Sequence, residues 1–331
     1  FTTGADGTVT VSGLQKRTYY AKEISTDDPY WEFDTAVKSV TVAISKTAEV
    51  TFTNTHYGRI EIRKTTNTGN QLGGWTFRVR DSEGNSYGDF TTDDNGYACT
   101  QNLPLGRYTV VELPTEDNYW LTELGFHDVT VRAGETTVDT WLNKEQGLVW
   151  FYKKTNTGQS VEGWHITVYS DEACTQKVGT LITNADGKAG YYLDPGTYWA
   201  KETGDEHGRF EDEYWMVDET IHKFEIKPHE DVSITFTNVQ YGRLKITKTV
   251  EGGGSVEGWQ FKITDAEGTV LDGSPFATDE DGIILTGNLL PGQYTVEELL
   301  LENSLYACKG DNPQTVTITQ GEIAEVAFVN A

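Results

Sequence analysis

Apolar and polar residues alternate along short stretches of this chain, and almost nothing recurs at helical spacing. Runs such as RIEIRKT (59–65), WTFRVRD (75–81), RYTVVEL (107–113), DVTVRA (128–133) and TTVDTWL (136–142) keep a period of two and are separated by Gly, Asn and Asp turns. Side chains of successive strand residues point to opposite faces, so each run offers one face to a core and one to water. Short strands, regular turns and no helices predict an all-β chain of Greek-key β-sandwiches.

The pattern repeats. TFTNTHYGRIEIRKT (51–65) returns as TFTNVQYGRLKITKT (235–249) and in altered form as TWLNKEQGLVWFYKKT (140–155). In each copy an Asn closes one alternating run, a Gly four residues later opens the next, and a Lys follows six residues after that Gly. Each joint therefore holds the last strand of one module and the first strand of the next. The expected modules are 58–146, 147–241 and 242–331, with 1–57 matching only the back half of a module. Residue 1 falling inside a module points to a trimmed piece. Three residues between Asn and Gly leave no free hinge, so an elongated, semi-rigid array is expected, roughly 25–35 Å per module for strands of six to eight residues.

Composition narrows the function. The 26 Lys and Arg against 51 Asp and Glu give a net charge of −25, which disfavours nucleic acid and anionic membrane as partners. No run of some 18 apolar residues is present to span a bilayer as a helix. The three cysteines, Cys99, Cys174 and Cys308, lie one per module at non-equivalent positions, so disulfides within modules are excluded and another staple is expected.

That staple is legible in one recurring constellation. Each complete module carries a Lys, a Glu and an Asn in fixed register: Lys64, Glu112 and Asn143; Lys153, Glu202 and Asn238; Lys248, Glu298 and Asn330. The partial module has Glu23 and Asn54 but no equivalent Lys. If first and last strands pair, the amine and the carboxamide meet inside the sandwich beside the Glu. Burial pushes a Lys toward its neutral, nucleophilic form and a Glu toward its protonated form. The amine can then attack the Asn carbonyl while the Glu polarises it and shuttles protons until ammonia leaves. A Lys–Asn amide would form once, without turnover, with proximity supplied by folding. Lys154 competes with Lys153, but Trp164 stands eleven residues after Lys153, the spacing that Trp75 keeps to Lys64 and Trp259 to Lys248.

The motifs G-R-[IL]-x-I-x-K-T, G-W-x-F, T-x-D-x-G, L-P-x-G-x-Y-x-x-x-E and F-x-N resemble those of the CnaB-type (SpaA-like, prealbumin-like) domains of Gram-positive surface proteins and pilins, over essentially the whole chain. The resemblance implies a prealbumin-like sandwich, a bond from the first-strand Lys to the last-strand Asn with Glu assisting, and a stalk or fibre at the bacterial cell wall. Its implied partners are other modules of the same surface protein, with a host or glycan ligand held by a distal domain; no cofactor is expected. Neither an LPxTG sorting signal nor a YPKN-like pilin motif occurs.

Weaker signals accompany these. The turns at Asp93-Asp94-Asn95-Gly96 and Asp279-Glu280-Asp281-Gly282 lack a full calcium-ligand series. The pairs Tyr30-Trp31, Tyr119-Trp120 and Tyr214-Trp215 offer the alternative function, adhesive modules gripping a glycan or host protein, if those aromatics form an exposed strip. Cys-Thr-Gln at 99–101 and 174–176 falls at different module positions. The six His are scattered without HExxH spacing, which points away from a turnover enzyme.

Overall fold

The computed structural model describes residues 1–24, 28–300 and 305–331. Among them every regular element is a strand except a single 3-10 turn, Arg209–Glu211. The chain divides into two compact units, 1–145 and 146–331. Among the described residues no helix is long and apolar enough to cross a membrane.

Within the first unit, residues 59–145 form a sandwich of two four-stranded sheets. One sheet orders Tyr97–Cys99, Arg59–Thr66, Thr136–Glu145 and Trp120–Leu121; the other orders Ser86–Thr91, Thr76–Asp81, Gly106–Glu112 and His127–Val131. The opening strand Arg59–Thr66 and the closing strand Thr136–Glu145 are central neighbours and run parallel, from Thr136 opposite Arg59 to Asn143 opposite Thr66. The alternation read from the sequence decides what faces inward. Ile60, Ile62, Lys64 and Thr66 are buried on the opening strand, Tyr108, Val110 and Glu112 on the Glu-bearing strand, and Asp139, Trp141, Asn143 and Glu145 on the closing strand. Ile60, Ile62, Phe77, Val79, Val110 and Trp141 form the apolar floor.

Two sandwiches of the same strand order make up the second unit. In one, Gly147–Thr155 runs parallel to Asp231–Gln240; in the other, Arg243–Val250 runs parallel to Ile323–Asn330. The described residues of 1–57 carry two short pairings, Arg17–Ala21 with Lys38–Val42 and Trp31–Glu32 with Thr55–His56.

The joint glycines have a steric reason. A Cβ on Gly58, Gly147 or Gly242 would lie 2.2, 2.3 or 2.1 Å from the carbonyl oxygen of Arg132, Lys227 or Thr319, so only a residue without one fits. Two joints are clamped alike. Arg59 stacks over the Tyr30 ring at 5.3 Å and donates to Asn102, whose amide donates to the Pro29 carbonyl at 2.8 Å. Arg243 stacks over Tyr214 at 5.1 Å and donates to Asn288, whose amide donates to the Glu213 carbonyl at 2.7 Å.

Candidate functional site

Each sandwich buries one lysine, one glutamate and one asparagine at the place where three strands converge. In the first, Lys64 Nζ lies 2.7 Å from Glu112 Oε1, and Asn143 Nδ2 donates to that same oxygen at 2.9 Å. In the second, Lys153 Nζ donates to Glu202 Oε1, and Asn238 is fully buried with them. In the third, Lys248 Nζ is 2.7 Å from Glu298 Oε1, and Asn330 Nδ2 donates to it at 3.0 Å. Lys153 faces the core, whereas Lys154 is exposed.

Register explains the meeting. On the opening strand Lys64 follows Ile62 by two residues and shares its inward face, opposite Trp141 and one step from the Asn143–Thr66 pair. Glu112 is carried in by the preceding corner. Tyr108 Oη donates to the Pro104 carbonyl at 2.8 Å, Tyr198 to Asp194 at 2.9 Å and Tyr294 to Leu290 at 3.0 Å, each locking the strand that bears the Glu four residues on.

Burial dominates the electrostatics. It lowers the Lys64 amine and pushes the Lys153 amine down to about 8, while the partner Glu pulls each back up. Burial raises the carboxyls of Glu112 and Glu202. The second oxygen of Glu112, Glu202 and Glu298 is buried with no hydrogen-bond partner among the described residues. A full carboxylate accepts through both oxygens, so at Glu112 and Glu202 this surrounding favours the neutral acid. The two shifts together move the Lys64–Glu112 and Lys153–Glu202 pairs toward neutral amine and neutral acid.

Two features of the site escape the sequence reading. The first is an aromatic roof. Lys64, Lys153 and Lys248 place Nζ 4.7, 4.5 and 4.2 Å from the rings of Trp75, Trp164 and Trp259. Trp120, Trp215 and Tyr306 pack edge-on against those three indoles. The recurring Gly-Trp pairs were the available signal. They imply that water is kept from the amine. Trp120 and Trp215 are thus buried roof residues, while Trp31 is half-buried and stacked on His56 at 4.0 Å. They do not form an exposed aromatic strip.

The second feature concerns the Asn carbonyl. Sequence alone expects Glu to polarise it; in the structure Glu112 and Glu298 meet the amide nitrogen of Asn143 and Asn330. Asn143 Oδ1 instead accepts from the backbone N–H of Glu123 at 3.1 Å, and Asn238 Oδ1 from that of Asp218 at 2.8 Å. An N–H can only donate, so the amide oxygen must face it and the amide nitrogen must face away.

In residues 1–57, Asn54 Nδ2 donates to Glu23 Oε1 at 2.7 Å and Asn54 Oδ1 accepts from the Asp34 N–H at 3.0 Å. Among the described residues no lysine forms a hydrogen bond or ion pair with Glu23 or Asn54 comparable to those in the complete sandwiches, and the pair is only half-buried. The acidic turns are self-capped: Asp93 accepts the N–H groups of Asn95 and Tyr97, and Asp279 those of Asp281 and Ile283. No group of three or more metal-ligating side chains occurs among the described residues. The three cysteines are free.

A family model described as the SpaA prealbumin-like fold domain matches the chain four times, at residues 1–56, 58–145, 149–240 and 242–331. Among solved structures, the chain is similar to the Bacillus anthracis TIE protein, at 23% identity over 90% of this chain and 55% of that one, with a TM-score of 0.34. It is similar to a streptococcal ancillary pilin at 17% identity, covering 83% of this chain and 99% of that one, TM-score 0.30. The major pilin subunit BcpA of Bacillus cereus follows at 14% identity, covering 82% and 99%, TM-score 0.34. The chain thus spans about half the length of the TIE protein structure (55%). No curated protein matches.

Proposed function

We propose a function from the premise that this chain belongs to the family of SpaA prealbumin-like fold domains: it is a structural segment of a Gram-positive cell-surface stalk or pilus, locked by intramolecular Lys–Asn isopeptide bonds. It is a structural protein and not a turnover enzyme. Its partners on this reading are further modules of the same surface protein or fibre, and its modules are 1–57 (partial), 58–146, 147–241 and 242–331. The observation that carries the reading is the burial of Lys, Glu and Asn together, three times over, each under an indole.

The chemistry follows from the distances. Lys64 Nζ and Asn143 Nδ2 both reach Glu112 Oε1. The neutral amine attacks Asn143 Cγ. Glu112 gives its own proton to the amide nitrogen as it takes up the one the amine sheds, and so ends as it began. The Cγ–Nδ2 bond breaks, a Cγ–Nζ amide remains, and one ammonia leaves. Lys153, Glu202 and Asn238, and Lys248, Glu298 and Asn330, take the same roles. Because opening and closing strands are parallel neighbours, a pull on the chain ends shears them against each other. An amide joining them carries that load covalently and keeps it off the hydrogen bonds. The rival reading, a glycan or host-protein grip through the Tyr-Trp loops, would need Trp120 and Trp215 at the surface, and both are buried.

Intact mass spectrometry tests this. The folded chain should weigh less than its sequence by three ammonias, and Glu112→Ala, Glu202→Ala and Glu298→Ala should each restore one. An unmodified mass in folded wild-type protein overturns the proposal.

A further inference from the structure

We infer that the backbone N–H of Glu123 in the first sandwich, and of Asp218 in the second, is the donor that stabilises the oxyanion developing on the Asn carbonyl during bond formation, and that the third sandwich forms its bond without one. The inference rests on the proposed cross-link and adds a group to it.

The geometry is shared by three regions. Asn54, Asn143 and Asn238 each direct Oδ1 to the N–H of an acidic residue twenty positions earlier: Asp34 at 3.0 Å, Glu123 at 3.1 Å and Asp218 at 2.8 Å. In the two complete cases the acid's own carboxylate fastens this donor to the strand that bears the Asn. Glu123 Oε2 accepts the N–H of Leu142, and Asp218 Oδ2 that of Thr237, both at 3.1 Å. Leu142 and Thr237 immediately precede Asn143 and Asn238. Glu123 is braced further by His127, whose Nε2 lies 3.2 Å from Glu123 Oε1, whose Nδ1 meets Asp139 at 2.7 Å and whose ring stacks on Trp141.

The third sandwich departs at this point. Counting from the roof aromatic, Lys309 occupies the place of Glu123 and Asp218. Lys309 is drawn into strand pairing with Val329, and its ammonium goes to Glu251 at 2.6 Å. Asn330 Oδ1 is buried and has no hydrogen-bond partner among the described residues. The Lys, the Glu and the indole roof are nonetheless all in place.

Chemistry assigns the donor its role. When Nζ adds to Cγ, the carbonyl π pair moves onto Oδ1. It returns when the Cγ–Nδ2 bond breaks and ammonia departs with the proton relayed by Glu. A fixed N–H aimed at Oδ1 stabilises the charged oxygen between those two moments, and losing one such donor slows acyl transfer by about 10²–10³-fold. The N–H is the catalytic donor; the carboxylates of Glu123 and Asp218 are positioning groups that act through it.

The test follows each bond separately. Full-length chain is made in a cell-free system with a short isotope pulse, sampled over time and digested, and joined and unjoined peptides are counted at each site. Intrinsic tryptophan fluorescence reports folding. In wild type, Lys248–Asn330 should form about 10²-fold more slowly than Lys64–Asn143. Glu123→Pro, which removes the N–H, should slow Lys64–Asn143 by about 10²–10³-fold, with Lys153–Asn238 in the same chain as internal control. Glu123→Gln retains an oxygen for Leu142 and should rescue the rate, whereas Glu123→Ala should not. Three wild-type bonds forming at equal rates overturn the inference while leaving the cross-link standing. No bond at any site overturns both. Should Glu123→Pro fail to fold, the wild-type comparison and the Gln and Ala variants decide.

Discussion

The first and third sandwiches bury the same three reacting side chains at nearly the same distances, 2.7 Å from Lys to Glu in both and 2.9 against 3.0 Å from Asn to Glu, yet they surround the Asn differently. The segment that pairs with the first closing strand reads Trp120, Leu121, Thr122, Glu123, and the one that pairs with the third reads Tyr306, Ala307, Cys308, Lys309. Cys308 lies directly opposite Asn330, and burial, reinforced by neighbouring Glu298, raises its thiol above its usual value. The carbonyl oxygen is held by a backbone donor in the first sandwich and has no partner among the described residues in the third. The difference teaches that reactant identity and reactant holding are separable. Strand periodicity and register deliver the reactants, while the short strand after the roof aromatic decides how the carbonyl is presented.

The largest expected effect separates joined from unjoined strands. Pulled by its ends, the wild-type chain should show no unfolding step from any complete sandwich at ordinary forces. Asn143→Ala or Asn330→Ala should each release one step of about 80 residues, as each ring would otherwise constrain the unfolded chain by up to ~4–5 kcal/mol on a loop-entropy account. Single-molecule force spectroscopy reads this directly, and equal steps in wild type would erase the proposed distinction. A smaller change should narrow the comparison from the other side. Lys309→Asp restores the acidic residue to the third sandwich, and in the pulse experiment Lys248–Asn330 should then form about tenfold or more faster, toward the rate at Lys64–Asn143. An unchanged rate would mean that the strand pairing at Val329, and not the side chain, withholds the donor.

The smallest effect is that of pH. Burial lowers the Lys153 amine to about 8, with Glu202 and Asp218 pulling it up and Arg209 pushing it down. A lowered amine is protonated below that value, so the reactive fraction falls about tenfold per pH unit beneath it. Lys153–Asn238 formation should slow several-fold between pH 8 and 7. A backbone N–H does not titrate, and its contribution should persist at each pH.

Much of this was legible in the sequence, and the reasons are specific. Alternation at period two set Lys64 on the face of Ile60 and Ile62 and Glu112 on the face of Tyr108 and Val110, so convergence followed once the strands packed. The register of the parallel pair and the corner tyrosines then fixed where those faces meet. The roof was harder to read, because the Trp75 indole reaches Lys64 through space and is held by its own N–H to the Gln71 carbonyl at 2.7 Å, a contact no periodicity encodes. The carbonyl donor was hardest, since a backbone N–H has no letter in the sequence. Its trace was present even so: an acidic residue stands three positions after Trp31, Trp120 and Trp215 and twenty before the Asn in each case, and a Lys replaces it after Tyr306.

The parallel pairing of opening and closing strands also has a consequence for digestion. With the proposed bonds in place, residues 64–143, 153–238 and 248–330 become closed rings. A protease that nicks a hairpin inside a ring opens it without parting the chain, because the amide still bridges the cut. Between one ring and the next, only the backbone of residues 144–152 and 239–247 is left as a place where one cleavage divides the molecule. Those stretches lie largely within closing and opening strands, paired into sheets and partly buried, and offer little extended backbone to an active-site cleft. A surface exposed to foreign proteases could therefore be scarred at many loops and still remain one connected thread.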